Sequence, residues 1–542
     1  MSKRLLVIAG ICFLALAQAR SSGDADTSAL GRITTEGMEH SKVMELMSWM
    51  TDVQGPRLTG SPRYKKAAEW ARKTLTEMGL SNSRLEGWGP FGKGWELERH
   101  SAHMIAPYAF PVISFPKAWS PGSGGKKQGD VVYLNVETDS ALQTYRGKLG
   151  GKFVLMSEPR IIAPRFSAEA TRKTEADLLE LANATASEPR RRRNRQLTGE
   201  QREKRMVAYE GLLMAEKEGA LALLSVSRGD GGNVFVQQAT VPTHPDTPFT
   251  RRVSAWDEDA PEILPQVVLG GEHYNQIVRM LQKGEKVRME METRVKFFDV
   301  DSGYNILAEI PGSDLKEEVV MIGAHFDSWH GGTGATDDGA GAGICMEAMR
   351  ILKATGLQPR RTIRIALWGG EEQGLLGSKA YVKRHLGELM GPDTNRATKH
   401  TLASTKFSVY FNLDNGGGKI RGVYMQGNEQ VRPLFRAWLK PLEGLGASTL
   451  SLAGTGSTDH MSFDEIGLPG FQFIQDEMEY STRTHHSTMD LYERLVEEDM
   501  KQASVVMAAF AYQAAMADGL LPRKPIKNVM LDWAPEVYTP GK

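Results

Sequence analysis

From residue 303 onward, short apolar runs alternate with longer amphipathic stretches. The segments "YNILAEIPG", "EEVVMIGAH", "TIRIALWGG", "FSVYFNLDN" and "GFQFIQ" are apolar runs rich in branched and aromatic residues, and they read as strands. Between the second and third, "DDGAGAGICMEAMRILKATG" places Ile344, Ala348 and Ile351 on one helical face, with Cys345, Met349 and Leu352 beside them. The stretch after "GGEEQGLLGS" also reads as a helix. Strand and helix in alternation predict an α/β fold with a mixed, largely parallel sheet covered by helices. In such folds ligand sites collect beyond the C-terminal ends of the strands.

The earlier part of the chain follows other patterns. "MEHSKVMELMSWMTDV" and "SPRYKKAAEWARKTLTEMGL" carry helical spacing, the second with a Ser-Pro start and Gly79 at its end, and "GPRLTGS" is a tight loop between them. Residues 120–300 instead show short strands cut by Gly and Pro signals, among them "GDVVYLNV", "GKFVLMSE", "ALALLSVS" and "LPQVVLG". The expected organisation is a leader over 1–19, the N-terminal part of the main domain over 20–118, a β-rich insert over 119–300, and the rest of the main domain over 301–542. Within the insert, "SEPRRRRNRQLTGEQREKR" (187–205) lacks interleaved aromatics and reads as a solvated loop running into a charged helix. Asn183-Ala-Thr185 matches a glycosylation sequon.

The leader changes the cellular picture. Lys3 and Arg4 precede an apolar run over residues 5–16, and "AQA" before Arg20 suits cleavage, the pattern of a secretory signal. A dozen apolar residues is too short for a stable membrane anchor, so a secreted or periplasmic protein is expected. Removal of the leader takes Cys12 with it and leaves Cys345 without a disulfide partner, in an apolar helical pattern that predicts core burial. Basic and acidic residues balance at 66 each, so no global field draws nucleic acid.

Acidic and histidine residues cluster where the predicted strands end. "GAHFDSWHGGTGATDDGAGAG" (323–343) carries His325, Asp327, Asp337 and Asp338 on abundant glycine without a Lys or Arg, and buried carboxylates without a cation are costly. His325 and Asp327 share a strand face; Glu371 and Glu372, then Asp414, then His485, His486 and Asp490 follow later strands. His, Asp and Glu without thiolate suit zinc or another hard divalent ion, manganese and cobalt included. Two ions about 3.5–4 Å apart need a bridging carboxylate, which a lone Asp337 on a glycine loop could supply. Adjacent glutamates divide between ligating and facing a reactive water.

Taken together, "GAHFDS", "GATDDGAG", "GGEEQGLLGS", "FNLD" and "THHSTMD" resemble the co-catalytic dizinc aminopeptidases and glutamate carboxypeptidases. With the "GPRLTGS" region the resemblance covers most of the chain, and it implies the zinc exopeptidase fold. The insert looks like the protease-associated domain that many members carry. The resemblance implies two zinc ions per chain: His325 and Asp414 on one, Glu372 and His486 on the other, and Asp337 between them. Glu371 is then the general base and Asp327 orients His325. The residue before the last ligand is often a Tyr that steadies the tetrahedral intermediate in the glutamate carboxypeptidases; His485 occupies that place here. "STDHMSF" resembles a segment lining the family's site, which makes Asp459 and His460 substrate-contact or turn residues.

The expected function is a secreted exopeptidase acting on dipeptides or short peptides, as a carboxypeptidase or dipeptidase, with an aminopeptidase as the alternative. Arg483 is the candidate for a substrate carboxylate, and Asp476, Glu477 and Glu479 are candidates for a substrate amine. A non-catalytic receptor-like protein and a single-zinc glutaminyl cyclase share the fold; the complete ligand set argues against both. Expected partners are the peptide substrate and a second copy of the chain.

Overall fold

The computed structural model describes residues 27–186, 198–391, 397–525 and 529–531. The expected leader and residues 187–197 of the basic run lie outside the described residues. Among the described residues, no helix is long and apolar enough to cross a membrane.

The main sheet has eight strands in the order Ser81–Trp88, Gly303–Ile310, Arg361–Trp368, Leu315–His325, Phe407–Asn412, Gly470–Gln475, Ile420–Tyr424 and Thr449–Ser451. The strand Leu315–His325 lies at its centre, parallel to both neighbours, while three of the other pairings are antiparallel. The sheet is therefore mixed, with its parallel part where the expected site should be. Alternation along the strands loads both faces: Val320, Ile322 and Ala324 face one core with Ile363, Ile365 and Leu367, and Met321 faces a second core with Ala366 and Trp368. Helices Ala340–Ala354 and Glu497–Met516 cover the first face; both are buried along nearly their whole length. Cys345 sits in that core, fully buried and free. The close seat of helix Ala340–Ala354 rests on glycine: a Cβ at Gly341 would meet Leu413 O at 2.2 Å, and one at Gly343 would meet Met47 Sδ at 2.5 Å.

A second eight-stranded sheet is built from residues 92–300. Its longest pairing joins Gly92–Ala106 to Arg288–Val300, antiparallel, and a separate core of Phe153, Leu155, Leu224, Leu269 and Met289 fills it. This sheet starts upstream of the expected division at 119, because Gly92–Ala106 pairs within it rather than with the main sheet. Helix Gly199–Glu218 begins at Thr198, whose side chain accepts from Gln201 N in a capping box, and its first turns are exposed. Aromatic side chains fill the seam between the layers, Trp119 lying against Trp329 and Trp95 against His330.

Candidate metal centre and active site

Neighbouring strands deliver the first residues. His325 closes its strand, Arg361–Trp368 runs into Gly369-Gly370-Glu371-Glu372, and Phe407–Asn412 runs into Leu413 and Asp414. Gly369 is required by space, since a Cβ there would stand 2.2 Å from the Tyr64 hydroxyl. The loop from 326 to 336 then returns to place Asp337. At its turn Gly334 adopts φ +62, and a Cβ there would meet Ser328 Cβ at 2.3 Å. Asp490 fixes the loop's end by accepting from Thr336 N (2.6 Å), Thr336 Oγ1 (2.8 Å) and Asp337 N (3.1 Å).

The structure brings the five expected ligand residues into one buried cluster. Asp337 Oδ1 lies 3.2 Å from His325 Nε2, and Asp337 Oδ2 lies 3.2 Å from His486 Nε2. Asp414 Oδ1 stands 3.7 Å from His325 Nε2, and Glu372 Oε2 stands 3.0 Å from His486 Nε2. The cluster thus has two lobes, His325 with Asp414 and Glu372 with His486, and Asp337 turns one oxygen to each. His485 Nε2 sits at the edge, 3.9 Å from Asp337 Oδ2, with its ring against that of His486. Asp338 does not join the lobes with a free carboxylate; it accepts from His325 N (3.2 Å) and Gly341 N (3.0 Å).

Several expectations change at this resolution of detail. The His325 ring donates from Nδ1 to the main-chain oxygen of Asp327 at 2.9 Å, while the Asp327 carboxylate stands 3.7 Å away. That carboxylate instead accepts from Glu371 N, Glu372 N and Thr59 Oγ1, so it anchors the turn carrying both glutamates. The missing cation of the glycine stretch is supplied in part from elsewhere. Arg57, of "GPRLTGS", is fully buried and donates to Phe326 O (2.6 Å), Thr333 O (2.8 Å) and Gly334 O (2.9 Å). Tyr480 was not foreseen either: its hydroxyl donates to Asp337 Oδ1 at 3.1 Å and its ring packs on His485. Only its position shortly before the paired histidines hints at it in the sequence.

The candidates for reading a substrate terminus are mutually engaged. Asp476 pairs with Arg172 (3.0 Å) and Arg421 (3.1 Å) and accepts from Lys173 N. Glu479 pairs with Arg483 (3.3 Å) and Arg494 (3.1 Å), and Arg483 pairs also with Glu169. Glu477 is exposed. Arg228, unnoticed in the sequence, reaches from the second layer and donates to His485 O at 2.8 Å over the face of Phe235; among the described residues no carboxylate pairs with it. Asp459 is buried with no hydrogen-bond donor on either oxygen, and His460 donates to Thr455 O at 3.1 Å.

Electrostatics favour a cation between the lobes. Burial pushes Glu371 well above the usual carboxylate range and Glu372 up to about 7. Burial works against a charged imidazole at His486, yet Glu372 and Asp337 raise it to about 10. Asp337 Oδ2 and Glu372 Oε1 are buried without a hydrogen-bond donor. Ligand atoms of Asp337, His485 and His486, of His325, Asp337 and Glu372, and of His325, Asp338 and Asp414 each lie within 4.8 Å of one another. The donor set and the orphaned oxygens fit divalent metal.

Residues 305–511 match the family described as Peptidase family M28. The chain is 26% identical to carboxypeptidase Q of Mus musculus over 499 residues, 91% of this chain and 90% of that protein. Among solved structures, a peptidase M28 precursor from Shewanella amazonensis aligns with a TM-score of 0.63 at 23% identity, covering 92% of this chain and 99% of that one. BSAP, a zinc aminopeptidase from Bacillus subtilis, aligns with a TM-score of 0.53 at 20% identity, covering 89% and 97%. At such identities the structural likeness speaks for the fold. The span that matches this family holds all five clustered ligand residues and Glu371.

Proposed function

We propose that this protein is a secreted dizinc exopeptidase that cleaves dipeptides or short peptides from their C-terminal end, in the manner of the carboxypeptidase Q it resembles. The observation that carries this reading is the contrast at the terminus-reading groups. Asp476 and Glu479, two of the three acids that could bind a substrate amine, are paired with Arg172, Arg421, Arg483 and Arg494, and the third, Glu477, is exposed, while the Arg228 guanidinium beside His485 has no carboxylate of its own among the described residues. A guanidinium matches a carboxylate in shape and charge.

When bound, a pair of zinc ions supplies a water nucleophile at neutral pH and positive charge for the developing oxyanion. His325 and Asp414 would hold one ion, Glu372 and His486 the other, and Asp337 both. Glu371, carried on the turn that Asp327 anchors, accepts the proton of the attacking water. It then delivers that proton to the leaving amine. The Tyr480 hydroxyl and the His485 ring are the donors flanking the carbonyl oxygen as it gains charge. In this reading the second sheet corresponds to the protease-associated domain, and the leader directs export.

The test compares one dipeptide in free, N-acetylated and C-amidated forms with zinc-loaded protein. Cleavage of the free and acetylated forms supports a carboxypeptidase, and cleavage of the free form alone a dipeptidase. Cleavage of the free and amidated forms makes it an aminopeptidase and removes the role given to Arg228. Arg228→Ala should raise KM on a free dipeptide by ~10–100-fold with a smaller change in kcat, as expected for a lost charge-assisted bond.

A further inference from the structure

The two lobes of the metal cluster are built in different ways. His325 and Asp414 follow adjacent parallel strands whose register is fixed, with Gly323 opposite Asn412 and Leu413 N donating to Gly323 O at 3.2 Å. Their separation is thus a property of the main sheet alone. His486 lies instead on the loop after residue 475, at φ +64, a left-handed conformation that side chains other than glycine rarely adopt.

The loop is tied to the main domain at Thr484 and Asp490, both bonded to Thr336, but the partners of the main chain immediately on both sides of His486 come from the second layer. Val236 N donates to His486 O at 2.9 Å, and Phe235 forms a β-bridge with Ser487. Thr488 N donates to Val234 O at 2.9 Å, and Val234 N donates to the Thr488 hydroxyl at 3.2 Å. Asn233, itself buried, donates through Nδ2 to Arg483 O at 2.7 Å and accepts from Thr488 Oγ1 at 3.3 Å. The main chain from 483 to 488 is therefore moulded against residues 233–236.

We infer that residues 233–236 of the second layer are a positioning element for the metal place held by Glu372 and His486, so that the two metal places are unequal. The place at His325 and Asp414 is complete without the second layer. The place at Glu372 and His486 is complete only when that layer is docked. The inference rests on the two-metal reading above and adds an order to it: the first ion binds to the main sheet, and the second reports the seating of the second layer.

The test titrates zinc into chelator-treated full-length protein by calorimetry, with zinc per chain counted after dialysis. Asn233→Ala and Thr488→Val each remove two of these hydrogen bonds, and Val236→Pro removes one. Each variant should keep the tighter zinc within about threefold and weaken the other by ~10–100-fold, the scale of lost supporting contacts at metal sites. Thr488→Ser keeps the hydroxyl and should behave as wild type. Retention of the tighter zinc also shows that a variant is folded; should Val236→Pro fail to fold, the other two decide the matter. If the wild type takes up two zinc ions and the variants weaken both equally, or neither, the inference is overturned while the two-metal reading stands. A wild type that takes up fewer than two zinc ions overturns both.

Discussion

Glu371 and Glu372 are neighbours with different tasks, and the difference comes from what surrounds each side chain. Glu372 faces His486, whereas Glu371 is raised in pKa by burial, as a proton carrier should be. Glu371→Gln should bind zinc like the wild type and lose ~10²–10⁴-fold in kcat; a variant with normal turnover would disprove its role as the base. Arg57 acts on stability. Its replacement by Met leaves the carbonyls of Phe326 and Thr333 without the donor they have here, while Gly334 O keeps Gly339 N. Arg57→Met should therefore unfold about 3 kcal/mol more easily in denaturant, and an unchanged midpoint would refute this. His325, Glu371, Glu372 and Asp414 were legible in the sequence because each ends or follows a strand that its own neighbours specify, and Asp337 and His486 because they stand in acidic and histidine pairs on the loops beyond. Arg57, Tyr480 and Arg228 were not, because their partners lie roughly 140–280 residues away and nothing local marks the meeting.

At the level of elements, the five longer strands after 303 were legible because their apolar runs are buried on both faces, whereas the short strands Ile420–Tyr424 and Thr449–Ser451 of the same sheet were not read. Ser81–Trp88 and Gly92–Ala106 were not. The first is an edge strand with mostly half-exposed side chains, and the second mixes charged and apolar positions; pairing with Gly303–Ile310 and Arg288–Val300 is what makes them strands. The glycines of "DDGAGAG" look interchangeable in the sequence and are not so in space. A methyl group at Gly341 would press on Leu413 O and on the Asp338 carboxylate at 2.5 Å. Gly341→Ala should lower stability by about 1–3 kcal/mol through overpacking and reduce activity with it by shifting Asp414. Thermal unfolding and zinc-loaded turnover, measured together, check both effects, and a variant unchanged in either contradicts the account.

For the whole molecule, two neutral histidines tie stability to pH. His330 joins the layers, its Nε2 donating to Pro116 O at 2.8 Å between Trp95 and Phe115. His100 bonds Thr293 and Ser114 within the second sheet. Burial lowers each from 6.5 to about 4. Between those values the unfolded chain binds more protons than the folded one, so stability rises with pH there. Their contribution, up to ~3 kcal/mol each, is complete above pH 6.5 and is lost as the pH falls toward 4. His330→Gln should flatten the dependence of the unfolding midpoint between pH 7.5 and pH 5; an unaltered slope would exclude this histidine as a source.

The two crossings between layers lie side by side. Trp88, at the end of its strand, faces Gly303 across the main sheet, and four residues later Gly92, at the start of the next, faces Val300 across the second. Bringing Trp88 and Gly303 together in a disordered chain means closing a loop of about 200 residues, an entropic cost that grows with the logarithm of loop length. If residues 92–300 collapse first around their own core, the same event shrinks to the turn of a hairpin. The edge strand Ser81–Trp88 and its neighbour Gly303–Ile310 then enter the main sheet as one hairpin.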